Sequence, residues 1–262
     1  MKLGIIGCGN MGRAILYGGL ESGVLNKEDI YVYDHLEAAR KKIEGFGVHM
    51  LNSCKEICEV SDIILLAVKP QQFLETAKEM KTAADGKAIF SIMAGKTMAS
   101  IRGAISGDVR VLRIMPNTPA MVFEGASGLA SDNDLLPEEK DFAQQLFSAI
   151  GIVEWVPERL MDAVCGLSGS GPAFTAIFIE ALADGGVKNG LPREEAYRLA
   201  TQTVLGTAKF IMEKGIHPGD VKDMVTSPGG TAIEGCERLE KNGMRYAVID
   251  CVNAATEKSK RL

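Results

Sequence analysis

Three stretches of this 262-residue chain carry residue types and spacings that could do chemistry. The first is Gly7-Cys8-Gly9-Asn10-Met11-Gly12, a G-x-G-x-x-G pattern between the apolar run Lys2-Leu3-Gly4-Ile5-Ile6 and the helix-forming Arg13-Ala14-Ile15-Leu16. Gly7 allows a tight turn, Gly9 lets a pyrophosphate approach the backbone, and Gly12 lets the helix pack close on the strand. The free N–H groups and positive end of that helix then hold the phosphates of a dinucleotide. The other two stretches are Leu167-Ser168-Gly169-Ser170-Gly171-Pro172-Ala173 and Val225-Thr226-Ser227-Pro228-Gly229-Gly230-Thr231. Each is read as an irregular segment that sets hydroxyls and glycines just before a helix, an anion site suited to a small carboxylate without an arginine. Ordinary caps and turns would account for either alone. Both together, beside a dinucleotide site, point to a substrate carboxylate pocket.

What is missing narrows the chemistry further. Reducing a carbonyl needs an acid or electrophile for the developing alkoxide, usually His, Tyr with Lys, or a metal. The three histidines, at 35, 49 and 217, lie outside every motif, no tyrosine is followed four residues later by lysine, and no metal-ligand cluster is read. An imine is a different electrophile, because it can arrive already protonated. The protein then has only to hold the ring and its carboxylate in place.

These residues need elements to position them. Ile30-Tyr31-Val32-Tyr33 reads as a second strand ending in Asp34, 22 residues beyond Gly12, where an acid accepts hydrogen bonds from the adenosine ribose. That favours NADH, whereas His35, Arg40, Lys41 and Lys42 could bind a 2'-phosphate, and Asp34 could equally cap the next helix. The choice between NADH and NADPH stays open at this level. The run from Asp62 to Val68 has the continuous apolar character of a strand buried on both faces, and Lys69-Pro70 ends it. Ala67-Val68-Lys69-Pro70 should border the cofactor, since ligands of open α/β sheets bind outside the carboxyl ends of the strands. Lys69 could also be a plain solvated lysine. A helix over about 71–81 leads to the strand 88–92 and Met93-Ala94-Gly95, and the strand 110–114 leads to the stiff corner Met115-Pro116-Asn117-Thr118-Pro119. With the segment 125–130, a helix over 137–149 and a strand over 152–155, the alternation to residue 157 predicts a doubly wound, Rossmann-like α/β domain.

Beyond Pro157 helical periodicity takes over: a long helix after Pro172, a second over about 192–214, and two more from about Thr231 and Arg245. An all-α unit over 158–262 with this much apolar surface predicts a homodimer, a self-contained bundle being the alternative. The composition, 46% hydrophobic and 24% charged, is that of a globular protein, and the net charge of −5 argues against a nucleic-acid partner. No segment is read as approaching the ~18 to 20 apolar residues that a membrane span requires, the longest aliphatic run being Ile63 to Val68, and the six scattered cysteines read as reduced thiols of a cytoplasmic protein.

Taken together, the motifs resemble those of the pyrroline-5-carboxylate reductase family along essentially the whole chain. The likeness rests on the Gly7–Gly12 loop, Ala67-Val68-Lys69-Pro70-Gln71, Arg113-Ile114-Met115-Pro116-Asn117-Thr118-Pro119-Ala120, Leu167–Ala173 and Thr226–Thr231. It implies a dinucleotide domain, a helical domain that dimerises by interleaving helices, often a ring of dimers, and transfer of hydride from NADPH or NADH to 1-pyrroline-5-carboxylate, giving L-proline. Residues 7–12, Asp34, Ala67–Pro70, Ala94, Gly95, Pro116, Asn117 and Thr118 would meet the cofactor. Ser168, Ser170, Gly171, Ser227, Gly229, Gly230 and Thr231 would hold the substrate, with Ser227 and Thr231 the candidate catalytic hydroxyls. Two departures stand out. Many members have a hydroxyl residue at the position of Ala232, in contact with the imine nitrogen, and an adenosine-side asparagine at that of Cys54. A hydroxyacid dehydrogenase would want a catalytic lysine on the helix after Gly171, which offers Lys188 only at its far end. A non-catalytic dinucleotide sensor would have no use for a second pocket.

Overall fold

The structure is a computed structural model that describes residues 1–105 and 107–262. Its strands are β1 (Leu3–Ile6), β2 (Ile30–Tyr33), β3 (His49–Met50), β4 (Ile63–Leu66), β5 (Ala88–Ser91), β6 (Arg110–Met115), β7 (Gly125–Ala130) and β8 (Gly151–Val156). The helices are α1 (Asn10–Glu21), α2 (Glu37–Lys41), α3 (Cys54–Val60), α4 (Phe73–Met80), α5 (Met98–Ile105), α6 (Pro137–Ser148), α7 (Met161–Val164), α8 (Gly171–Lys188), α9 (Arg193–Lys214), α10 (Pro218–Val225), α11 (Thr231–Lys241) and α12 (Met244–Ser259). Periodicity had not marked the short α3 and α10, both of eight residues or fewer.

Chain compactness separates one unit, Met1–Ser170 with Asn253–Leu262, from another, Gly171–Val252. The first unit therefore runs past residue 157 and takes back the end of the chain. It holds one sheet in the order β3-β2-β1-β4-β5-β6-β7-β8. Strands β1 to β6 pair in parallel, β7 runs antiparallel to β6, and β8 pairs in parallel with β7. Every residue of β1, β4 and β5 is buried, as expected of strands covered on both faces by helices. Because β1 lies between β2 and β4, the chain reverses direction of winding there, and a crevice opens at the carboxyl ends.

One buried charge stands out in this apolar layer. Arg113, in the middle of β6, is 2% exposed and donates through Nη2 to Asp162 Oδ1 at 2.8 Å. The same oxygen accepts the Ser259 hydroxyl at 2.8 Å, so β6, α7 and the last turn of the chain meet on one carboxylate. Removing that charge leaves a buried guanidinium unpaired. We expect Asp162→Asn to lower stability by about 3 kcal/mol, read as a shifted urea midpoint at unchanged slope.

Leu167–Ala173 is not the irregular segment read from the sequence. Cys165–Gly169 is a π-helical turn that joins α7 to α8, and the Ser170 N–H bonds the Cys165 carbonyl at 2.9 Å. Glycines and serines break helices only by propensity, and here i→i+5 bonds absorb the backbone groups that a helix start would leave free. The stretch thus leads into α8 through a π-helical turn rather than as a free loop.

The second unit is almost all helix, and its only fully buried hydrophobic residues are Ala183, Ala196 and Ala200. Ile177, Met212, Met224, Tyr246 and Ile249 are each more than half exposed. The helical run Glu158–Lys188 is long and apolar enough, by length and composition, to cross a membrane, which counting uninterrupted apolar runs had missed. Only 6% of its apolar window is buried within the chain, so this surface awaits cover.

Candidate active site

The glycine loop leaves β1 with Gly7 at φ +104°, its N–H bonded to the Tyr33 carbonyl at 2.8 Å. A Cβ on Gly7 would lie 2.7 Å from the Ala67 carbonyl group, so the turn admits no side chain. A Cβ on Gly12 would lie 2.3 Å from the Gly7 carbonyl oxygen, which is the close helix–strand contact expected of the third glycine. Gly9 differs from both: nothing stands within 4 Å of where its Cβ would be. Helix α1 starts at Asn10, inside the motif, with no side chain capping it and no acid in its first turn. Open space, uncapped N–H groups and a positive helix end together fit a pyrophosphate.

Asp34 is buried at the end of β2, and its Oδ2 accepts the Cys8 N–H at 2.7 Å. Its Oδ1 accepts the Leu36 N–H at 2.8 Å, a turn two residues on rather than a cap on α2. Each oxygen keeps a second lone pair, enough for two ribose hydroxyls. Among the basic neighbours, Lys41 is paired with Glu37, His35 lies 3.5 Å from Asp34, and Arg40 keeps a buried Nε with no partner among the described residues. Beside Asp34, the Cys8 thiol is pushed up to about 12, first by burial and then by the Asp34 charge, so Cys8 stays a neutral wall of the loop. A cavity of about 190 Å³ opens on the same side, lined by Ile6, Tyr33, His35, Cys54, Val68 and Glu79. At its wall, burial and the Glu79 carboxylate hold the Cys54 thiol well above the usual range.

The exits of β4, β5 and β6 follow at the same edge. Ala67–Pro70 leaves β4 with the Ala67 N–H on Ile6 O at 2.8 Å, and Lys69 points to solvent without an ion pair among the described residues. Ala94 and Gly95 follow β5, and Pro116, Asn117 and Thr118 follow β6. The Asn117 amide is engaged within this corner. Its Oδ1 accepts the Ala126 N–H at 2.8 Å and its Nδ2 donates to the Ser168 carbonyl at 3.1 Å, so it builds the corner from within. Sequence reasoning quoted Arg113 only as part of a motif and did not single out Asp162. A lone arginine inside Val111-Leu112-Arg113-Ile114-Met115 was the signal available. Ser168 belongs to this unit, with its hydroxyl on the Val164 carbonyl at 3.0 Å, as does Ser170.

Gly171 and the second loop belong to the other unit. Helix α10 ends at Val225, where the Thr226 hydroxyl bonds the Lys222 carbonyl at 3.0 Å. The chain then turns, the Gly230 N–H closing on Ser227 O at 3.0 Å and Gly229 at φ +69°, before α11 begins at Thr231. No side chain caps α11, so the N–H groups of its first turn stay open and the exposed Ser227 and Thr231 hydroxyls flank them. This is the geometry of a small-anion seat. The histidines are occupied elsewhere: His217 Nδ1 accepts the Gly219 N–H at 3.0 Å, His49 stacks on Tyr31, and His35 meets Gln72 at 3.2 Å.

Comparison with known proteins agrees with both halves. Residues 158–262 match the family model "Pyrroline-5-carboxylate reductase dimerisation" and residues 2–95 match "NADP oxidoreductase coenzyme F420-dependent". The chain is 44% identical to the pyrroline-5-carboxylate reductase of Methanosarcina acetivorans over 263 residues, covering 100% of this chain and 97% of that one. It is 40% identical to that of Escherichia coli over 266 residues, covering 100% and 98%. Among solved structures, Plasmodium falciparum pyrroline carboxylate reductase with NADP bound aligns at a TM-score of 0.90 and 32% identity, covering 100% of this chain and 97% of that one. The Coxiella burnetii pyrroline-5-carboxylate reductase aligns at 0.92 and 32%, covering 99% and 97%. The dimerisation match accounts for the uncovered apolar helices of the second unit, and the chain forms a homodimer. With a glycine loop and helix start that fit a pyrophosphate, this end-to-end likeness places the chain in the pyrroline-5-carboxylate reductase family, as an NAD(P)H-dependent oxidoreductase.

Proposed function

We propose that the chain reduces 1-pyrroline-5-carboxylate to L-proline with NADH or NADPH, in the cytoplasm, as a homodimer that can assemble into a ring of dimers. The observation that carries this reading is the likeness to curated pyrroline-5-carboxylate reductases over the whole chain, because it spans both the glycine loop and the Ser227–Thr231 loop. Bound NAD(P)H supplies the hydride. Gly9 and the first turn of α1 seat its pyrophosphate, Asp34 takes its ribose hydroxyls, and the Val68–Pro70 and Pro116–Thr118 corners border its nicotinamide end. Substrate carboxylate is held by the open N–H groups at the start of α11 and by the Ser227 and Thr231 hydroxyls. A cyclic imine reaching the site protonated at nitrogen needs no acid, since adding hydride to its carbon neutralises the charge. This agrees with a chain in which His217 closes a turn, His49 stacks on Tyr31 and His35 bonds Gln72. At position 232 an alanine offers no hydroxyl to the ring nitrogen, so positioning through the carboxylate carries more of the catalysis.

The test is oxidation of NADH and of NADPH, in parallel, by the purified protein with 1-pyrroline-5-carboxylate. Substrate-dependent oxidation is expected; binding of both cofactors without turnover would favour a sensor. Asp34→Asn removes a fixed negative charge while keeping one acceptor. We expect it to raise the NADPH-to-NADH ratio of kcat/KM by about tenfold, as a repulsion of roughly 1.4 kcal/mol is relieved at the 2'-phosphate. An unchanged ratio would move the choice of cofactor to Arg40 and its neighbours.

A further inference from the structure

The turn after β5 is only lightly held by itself. Ala94 and Gly95 form a turn and the Thr97 carbonyl receives the Ile101 N–H at 3.0 Å, but the N–H groups of Ala94, Gly95 and Thr97 donate no hydrogen bond among the described residues, at the carboxyl edge between the exits of β4 and β6. Its place is set from outside. On one side the Met98 N–H, just beyond it, donates to Glu158 Oε1 at 2.6 Å. On the other lie the last residues of the chain. A Cβ on Gly95 would stand 2.4 Å from Leu262 Cβ and 2.9 Å from the Ser259 carbonyl oxygen, so the two backbones are in direct contact. Lys96 Nζ donates to the Leu262 carbonyl at 2.8 Å. The 259–262 segment is itself fixed at Ser259, 2% exposed, whose hydroxyl donates to Asp162 Oδ1 at 2.8 Å, the oxygen that also takes Arg113.

We propose that Ser259 and Lys96 are positioning residues for the dinucleotide: through them the 259–262 segment holds the 94–97 turn, with its open N–H groups, at the height at which the bound cofactor meets it. The proposal rests on the reading of this edge as the dinucleotide site. The chemistry is that of a second layer. A turn whose N–H groups are mostly open follows what packs on it, and a displacement of about 1 Å at such a site costs up to about a hundredfold in rate. Gly95 is needed twice over, for its φ of +71° and for the contact with Leu262.

The experiment measures dissociation constants of NADH and NADPH by nicotinamide fluorescence, without imine, for the unaltered dimer, Ser259→Ala, Ser259→Ala with Lys96→Met, and Lys96→Arg, alongside steady-state kinetics and thermal melting. Expected are dinucleotide Kd and KM raised about tenfold in the double variant, imine KM within about twofold, a cooperative melt, and Lys96→Arg close to the unaltered protein because its donor is kept. Unchanged dinucleotide affinity in the folded double variant overturns the inference. Equal losses for dinucleotide and imine with a collapsed melt overturn it too, as the contact would then be purely structural. If the unaltered dimer binds no dinucleotide, the reading of the edge falls and this inference with it.

Discussion

Gly9→Val should weaken dinucleotide binding by about a hundredfold, close to 2.7 kcal/mol, while leaving the stability of the fold unchanged. The reason is that Gly9 has an ordinary φ of −63° and nothing within 4 Å of its missing Cβ. A valine there meets only the space that a pyrophosphate would enter. Gly12→Ala makes the contrast, because its Cβ would lie 2.3 Å from the backbone oxygen of Gly7. That variant should lose stability as well as affinity, since a backbone oxygen cannot step aside as a side-chain tip can. Calorimetric titration with NADH and NADPH, paired with urea unfolding of each variant, separates the two roles. If Gly9→Val binds as tightly as the parent protein, the cradle lies elsewhere.

The second large effect belongs to the loop before α11. Ser227→Ala and Thr231→Ala should each lower kcat/KM for the imine by about tenfold, and the pair by about a hundredfold, while replacement of His35, His49 or His217 by Ala changes it by less than about twofold. The loop places two exposed hydroxyls at an uncapped helix start, and a carboxylate bound there gains hydrogen bonds to charged oxygens, worth about 1.5–3 kcal/mol each when removed. His217→Ala should still cost about 1 kcal/mol of stability, because its ring caps α10. A histidine variant with a tenfold larger loss than Ser227→Ala would reject the view that position, not a histidine acid, carries the chemistry. Gly230→Ala is a sharper probe of the same seat. Its Cβ would come within 2.4 Å of Ser227 Oγ, so the hydroxyl must leave the helix start.

Much of this protein is legible in its residues taken in order. Gly7 and Gly12 fix a strand–turn–helix because the φ of +104° at Gly7 and the approach of Gly12 to the Gly7 carbonyl are local demands that only a residue without Cβ meets. The apolar run at 63–66 fixes a strand buried on both faces, and the register of hydrophobic residues from 172 onward fixes helices that cannot cover themselves. The two residue types suited to a carboxylate seat, hydroxyls and glycines, were visible at both candidate loops. Only the tertiary structure told the two apart: Cys165–Gly169 is a π-helical turn that takes the Ser170 N–H, whereas the Ser227–Thr231 loop leads into a helix start that no side chain caps. Propensity counts residues within a few positions and does not distinguish an i→i+5 bond from a free donor.

The same limit governs the side chains. Asp34 and Asn117 were both assigned to the cofactor by position. The fold turns the Asn117 amide inward onto Ala126 and Ser168, and gives the Asp34 carboxylate the Cys8 N–H to hold as well. These partners lie 9, 51 and 26 residues away in sequence, beyond any local pattern. Arg113, Asp162 and Ser259 meet across separations of 49 and 97 residues, and nothing in any one segment announces the others. Residue types and spacing thus determined the elements and the chemistry they offer, because both follow from local sterics and periodicity. Which donors are free, which acids are engaged and which turn is held by the end of the chain was decided by long-range packing, because a buried polar group takes whatever partner the assembled fold brings to it.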